Sequence, residues 1–175
     1  MSALDQLYQQ IILDHAKARH GHGLREPGPA GGTAWAESRQ YNPLCGDEVT
    51  VRAAVREGAG PGAAPVVTDV SWVGEGCSIS QASTSVLHEL VVGRGVPEAT
   101  ALVEAFRTMI RSRGQDDPDE EVLGDAAAFA GVGRHANRVK CAMLGWTAFE
   151  DALSRAVADL YEPATTTDLA GRADE

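Results

Sequence analysis

Three cysteines, at positions 45, 77 and 141, are the side chains of this 175-residue chain best suited to hold a soft metal or act as nucleophiles. Their gaps of 32 and 64 residues contain no Cys-x-x-Cys pair, and spacing alone also fits three structural thiols. Local context argues for more. Cys45 lies in the turn Asn42-Pro43-Leu44-Cys45-Gly46-Asp47. If the chain is extended there, residues two apart point the same way, so the Cys45 thiolate and the Asp47 carboxylate face one point. Cys77 follows Gly76 where a strand gives way to a helix, and a helix N-terminus favours thiolate over thiol. Cys141 falls one turn into the last helix, predicted on the face opposite Val139 and Met143, with Arg138 three residues before it and so beside it. Each cysteine is thus near the end of an element, a placement that a structural core thiol does not need.

Three thiolates and one carboxylate around a divalent ion carry a net charge of about −2, which a neighbouring cation stabilises; Arg138 is placed to supply it. Zinc takes sulfur and oxygen ligands in tetrahedral geometry. Thiolate-rich sites also suit iron–sulfur clusters, usually with four cysteines, and a set of three leans toward zinc. Other chemistries have less support. His88-Glu89 lacks a second histidine at the spacing of a zinc protease helix and reads as a satisfied helix residue. His20 and His22 lie in a glycine-rich loop and read as solvated. A Cys–His hydrolase has no local motif in its favour, and Gly74-Glu75-Gly76 lacks the third glycine of a dinucleotide fingerprint.

The elements that must position these residues follow from patterning. Ser2 and Asp5 form a capping box opening a helix whose stripe is Leu4, Leu7, Tyr8, Ile11, Ile12 and His15. Residues 21–32, with five glycines and two prolines, are a loop. Residues 33–40 form a weakly alternating strand. Residues 48–56 alternate cleanly, with Val49, Val51, Ala53 and Val55 on one face and Thr50, Arg52 and Arg56 on the other. Residues 57–65 are a loop, and Val66–Val73 form a third strand. Connections this short imply an antiparallel sheet. Ser78 with Gln81 reads as a second capping box, Pro97 as the first residue of a helix stopped at Gly114, and Asp117–Glu120 as the start of a helix ending near Gly131. Asn137 is expected to cap the last helix, whose predicted buried stripe is Val139, Ala142, Met143, Trp146, Phe149, Leu153 and Val157. The expected class is α+β: a small three-stranded antiparallel sheet with helices packed on one face. The expected organisation is a single domain over 1–163 followed by a disordered tail over 164–175.

Composition supports this reading. Apolar residues make up 43%, enough for a core. Fifteen Lys and Arg against 25 Asp and Glu give a net charge of −10, which repels phosphate backbones and anionic lipid, so neither nucleic acid nor membrane is an expected partner. No apolar run approaches the roughly 18 residues of a spanning helix. Residues 1–5 show no signal-peptide pattern, and an odd, small number of cysteines gives no disulfide framework; a cytoplasmic location is expected.

Taken together, the motifs resemble the SufU branch of the IscU/NifU N-terminal family of iron–sulfur assembly proteins. Leu4-Asp5-Gln6-Leu7-Tyr8 through Asp14-His15 is similar to the family's opening helix. Asn42–Asp47, Gly74–Ser80 with Ala82-Ser83, and Arg138-Val139-Lys140-Cys141 are similar to its three cysteine motifs, in order. Lys140 stands where IscU proteins carry a histidine, and the 64-residue gap accommodates the extra SufU segment, around Gly93–Gly114. The loop 57–65 is longer than usual for the family. The resemblance implies zinc held by Cys45, Asp47, Cys77 and Cys141, with Cys45 accepting persulfide sulfur from a SufS-type cysteine desulfurase and relaying it to the SufBCD scaffold. It further implies that a desulfurase histidine displaces Cys45 from zinc, with Arg138 stabilising the anionic site. An IscU-type cluster scaffold and a structural zinc adaptor of the desulfurase are the alternatives.

Overall fold

The computed structural model describes residues 1–26 and 32–161. Part of the expected loop 21–32 and the whole predicted tail 164–175 lie outside the described residues. Helix α1 (Ala3–Ala18) is followed by strands β1 (Thr33–Tyr41), β2 (Glu48–Arg56) and β3 (Val66–Glu75). Then come helices α2 (Ser78–Val91), α3 (Val96–Arg111) and the single-turn α4 (Glu120–Leu123), a 3-10 segment (Gly124–Arg134), and the long α5 (Ala136–Tyr161). The class is α+β, as expected.

The sheet is an antiparallel meander in the order β1-β2-β3. The alternation read in β2 is real: Val49, Val51, Ala53 and Val55 are all buried. On the other face Arg52 pairs with Glu37 at 2.7 Å and lies over the Trp35 ring. Helix α5 packs across β1 and β2, α2 packs on β3 and α5, and α1, α3 and the 3-10 segment pack on those helices. Trp72, Trp146, Phe106, Phe129 and Phe149 are the large fully buried rings, with Phe106 stacked on Trp146 at 4.1 Å between centroids.

The approach of α2 to α5 is set by small side chains. Ser80, Ala82, Ser83, Thr84 and Ser85 are all buried on α2. The Ser83 hydroxyl donates to the Ala142 carbonyl at 2.6 Å and accepts from the Trp146 indole at 2.9 Å. Polar groups buried at this junction are therefore satisfied across it, as low dielectric surroundings require.

Several expectations about element ends are corrected. The Ser2–Asp5 capping box is present, but Leu4 and Leu7 are about half exposed, and His15 is the buried residue of α1. That helix rests on α2 and the 3-10 segment through its C-terminal half, where His15 contacts Ser85 and Asp125 at 2.9 Å each. The helix expected to end near Gly131 is divided: Asp119 caps α4, Gly124 closes it, and the alanine-rich continuation winds as a 3-10 segment. That segment runs straight into α5. The His135 carbonyl accepts from the Arg138 and Val139 N–H groups, so Asn137 lies inside the first turn and is not its cap.

Candidate metal centre

The Asn42–Asp47 motif forms the connection between β1 and β2, which pair up to Tyr41 and Glu48. Two main-chain bonds close it: the Asn42 N–H donates to the Asp47 carbonyl at 2.8 Å, and the Gly46 N–H donates to the Asn42 carbonyl at 2.8 Å. Gly46 has φ +78, a backbone state that costs a side-chain-bearing residue more. The Asn42 side chain accepts from the Leu44 N–H at 3.1 Å. This compact turn exposes Cys45 and buries Asp47.

The second motif sits at the end of β3. Cys77 is the residue flanking α2, in extended conformation, and Ser78 is the first helical residue. The expected Ser78 capping box is therefore absent. Ser80 donates to the Cys77 carbonyl at 3.0 Å and Gln81 to the Gly76 carbonyl at 2.9 Å, anchoring the junction from inside the helix. The Cys77 N–H donates to Asp47 Oδ1 at 3.3 Å. One hydrogen bond thus ties the first motif to the second.

The third motif opens α5. Cys141 is buried, as are Ala142, Leu144 and Trp146 around the helix, whereas Val139 and Met143 are only half-buried. Of the predicted stripe, Ala142, Trp146, Phe149 and Leu153 are buried and Val139, Met143 and Val157 half-buried; Cys141, outside the stripe, is buried as well, with Cys45 and Asp47 beside it.

These pieces meet. Cys45 Sγ lies 3.5 Å from Cys141 Sγ, and a carboxylate oxygen of Asp47 joins them with all three ligand atoms within 4.8 Å of one another. The Cys77 thiol lies outside that tight group but borders the same carboxylate. Arg138 is exposed; it lines a groove with Ser78, Ile79, Arg134 and His135 and has no ion pair among the described residues.

Electrostatics suit a cation. Burial alone would raise the Asp47 carboxyl, yet the Cys77 and Cys141 thiols, the Cys77 N–H and the Cys45 thiol hold it below the usual carboxylate range. Its Oδ2 atom is buried without a hydrogen-bond partner among the described residues, a cost that a bound cation removes. Burial, with Cys45, Asp47 and Cys77 beside it, drives the Cys141 thiol far above its ordinary value, as crowding of potential anions does when no positive charge sits among them. Two sulfurs and a carboxylate with a third sulfur at the rim are donors that suit zinc or iron.

The profile described as NifU-like N terminal domain matches residues 7–142. The chain belongs to that family. Among curated relatives, an iron–sulfur cluster assembly scaffold protein IscU of Streptococcus pyogenes is 33% identical over 89% of this chain and 87% of its own length. The zinc-dependent sulfurtransferase SufU of Bacillus subtilis is 32% identical over 87% of this chain and 92% of its own. Among solved structures, a SUF-system iron–sulfur cluster assembly scaffold protein from Fervidobacterium islandicum superimposes with a TM-score of 0.67 at 33% identity, covering 85% of this chain and 97% of that one. The NifU-like chain is thus a member of the iron–sulfur cluster assembly proteins that include both IscU and SufU. Residues 93–114 hold α3, which packs on α5 and links to it through Arg107 and Glu150 at 3.0 Å. No helix among the described residues is long and apolar enough to cross a membrane.

Proposed function

We propose that this protein is a zinc-dependent sulfurtransferase of iron–sulfur cluster assembly. In this reading it takes sulfur from a SufS-type cysteine desulfurase and relays it to a SufBCD scaffold. The observation that carries it is the asymmetry of the cluster: Cys45 is exposed on a turn, while its neighbours Asp47 and Cys141 are each only 5% exposed. Cys45, Asp47, Cys77 and Cys141 would hold the zinc. Bound there, zinc keeps the thiols deprotonated at neutral pH and protects them from oxidation.

Asp47 and Cys141 are fixed by the hairpin base and by α5, and Cys77, though exposed, is held at the start of α2, so Cys45 on its turn is the group free to move toward a partner. Its thiolate attacks the outer sulfur of the desulfurase persulfide. A sulfur–sulfur bond forms on Cys45, the bond within the donor persulfide breaks, and the donor cysteine leaves as thiolate. Arg138, three residues before Cys141, adds positive charge at the rim of an anionic site. Lys140 is exposed, and its ammonium is no zinc ligand.

A second reading, assembly of an iron–sulfur cluster on the same residues, is favoured by the IscU names of relatives from Streptococcus pyogenes and Thermotoga maritima, each 33% identical. Anaerobic purification distinguishes them. About one zinc per chain with no visible absorption supports sulfur transfer; brown protein with iron and sulfide supports the scaffold. Persulfide mapping after incubation with desulfurase and cysteine tests the acceptor. Label on Cys45 is expected, and label on Cys77 or Cys141 alone would overturn the assignment. A merely structural adaptor would keep delivering sulfur as Cys45→Ser.

A further inference from the structure

We infer that Asn42 is a positioning residue that sets how firmly Cys45 is held in the metal centre. This rests on the metal-site reading above but not on sulfur transfer. Asn42 is only 5% exposed, although its neighbour Leu44 is 69% exposed. Three of its polar groups act on the turn at once. Its N–H donates to the Asp47 carbonyl and its carbonyl accepts from the Gly46 N–H, both at 2.8 Å. Its side-chain oxygen accepts from the Leu44 N–H at 3.1 Å, an Asx turn. The Cys45 thiol also points back at the Asn42 carbonyl, at 4.0 Å.

The two main-chain bonds hold the base of the turn, where Asp47 sits, and any residue at 42 can form them. The side-chain bond reaches the tip, where Leu44 and Cys45 sit, and is the contact that depends on asparagine. Removing it therefore loosens Cys45 selectively. Asp47 keeps its bond from the Cys77 N–H, and Cys141 keeps its place in α5. The Asn42 side chain thus acts on Cys45 through the turn; it is the main-chain carbonyl, present with any residue at 42, that faces the Cys45 sulfur.

The test is site-resolved alkylation of zinc-loaded full-length protein with iodoacetamide, read by mass spectrometry. Asn42→Ala is expected to raise the Cys45 rate about fivefold or more, with Cys141 unchanged. Asn42→Asp, which keeps an acceptor oxygen, is expected to stay near wild type. Cys45 rates equal in wild type and Asn42→Ala would overturn the inference. So would Cys45 and Cys141 rising together, which signals general loosening. Should Asn42→Ala fail to fold, Leu44→Pro removes the same N–H at an exposed position and decides the matter by the same selective rise. Wild-type protein that retains no zinc or iron would instead refute the metal-site reading, so the two failures are distinct.

Discussion

Cys45 Sγ and Cys141 Sγ are 3.5 Å apart although 96 residues separate them in sequence, and only the first is exposed to solvent. Proximity lets both sulfurs reach one metal ion, and the difference in exposure suits them to different work. Cys45→Ser is expected to leave the fold intact and abolish persulfide loading from a desulfurase. Cys141→Ser is expected to lose metal retention first, because a fixed, buried donor is gone. Zinc content by elemental analysis and persulfide mass shifts on both variants separate the two roles. Equal behaviour of the variants would count against the division.

Gly76 is where the second motif makes room for the first. A Cβ there would sit 2.8 Å from Asp47 Cγ and 2.5 Å from Ser80 Oγ. Gly76→Ala is therefore expected to displace the carboxylate, with an overpacking cost of about 1–3 kcal/mol. Metal affinity is expected to fall about tenfold, or ~1.4 kcal/mol. Competition with a chromophoric chelator measures it; unchanged affinity would show that Asp47 tolerates the shift or is not a ligand.

The parts of this centre differ in how far sequence reveals them. The alternation of Val49, Val51, Ala53 and Val55 gives the sheet face directly, because strand periodicity is local. The Asn42–Asp47 turn is also legible, since proline, glycine and aspartate each impose local conformation. The burial of Cys141 is not local. It depends on the β1–β2 turn and the start of α2, which bring Cys45, Asp47 and Cys77 beside it from distant parts of the chain. The exposure of Leu4 and Leu7 escapes periodicity for the same reason: a stripe shows which face of a helix is apolar, not how much of its length is covered. The role of Cys77 as the residue flanking α2 was masked by Ser78, a stronger capping type.

The edge of β3 carries a pH-dependent tie. Arg25 donates to both carboxylate oxygens of Asp69, at 2.9 and 2.7 Å. Hydrogen bonding from Arg25 holds the Asp69 carboxyl below its ordinary 3.8, against partial burial that would raise it. A carboxyl lowered on folding stabilises above its unfolded pKa, and the gain disappears as pH falls through the folded value. Both groups are partly exposed, so Asp69→Asn is expected to cost at most about 1 kcal/mol at pH 7. The gap in urea midpoint between wild type and variant should narrow from about pH 5 downward. A gap that stays constant to pH 3 would show that the pair contributes nothing through ionisation.

Phe106 and Trp146, fully buried and stacked at 4.1 Å, join α3 to α5. Phe106→Ala is expected to cost about 3–5 kcal/mol through lost burial and the cavity left behind. Chemical denaturation of the metal-free protein gives this value without a contribution from bound ion.

Metal removal provides the most direct measure of whether the distant motifs act as one site. An ion held by the β1–β2 turn, the β3–α2 junction and α5 binds the folded chain and not the unfolded one. At free zinc a hundredfold above the dissociation constant, it should stabilise by about 2.7 kcal/mol. Chelation is thus expected to lower the unfolding midpoint of wild type. The same treatment should leave Cys141→Ser unaffected, because that variant has little metal to lose. Cys45→Ser should fall between them, retaining Asp47, Cys77 and Cys141 as donors. If chelation shifts wild type and Cys141→Ser alike, the ion is bound elsewhere and the convergence of the three motifs is not what holds it.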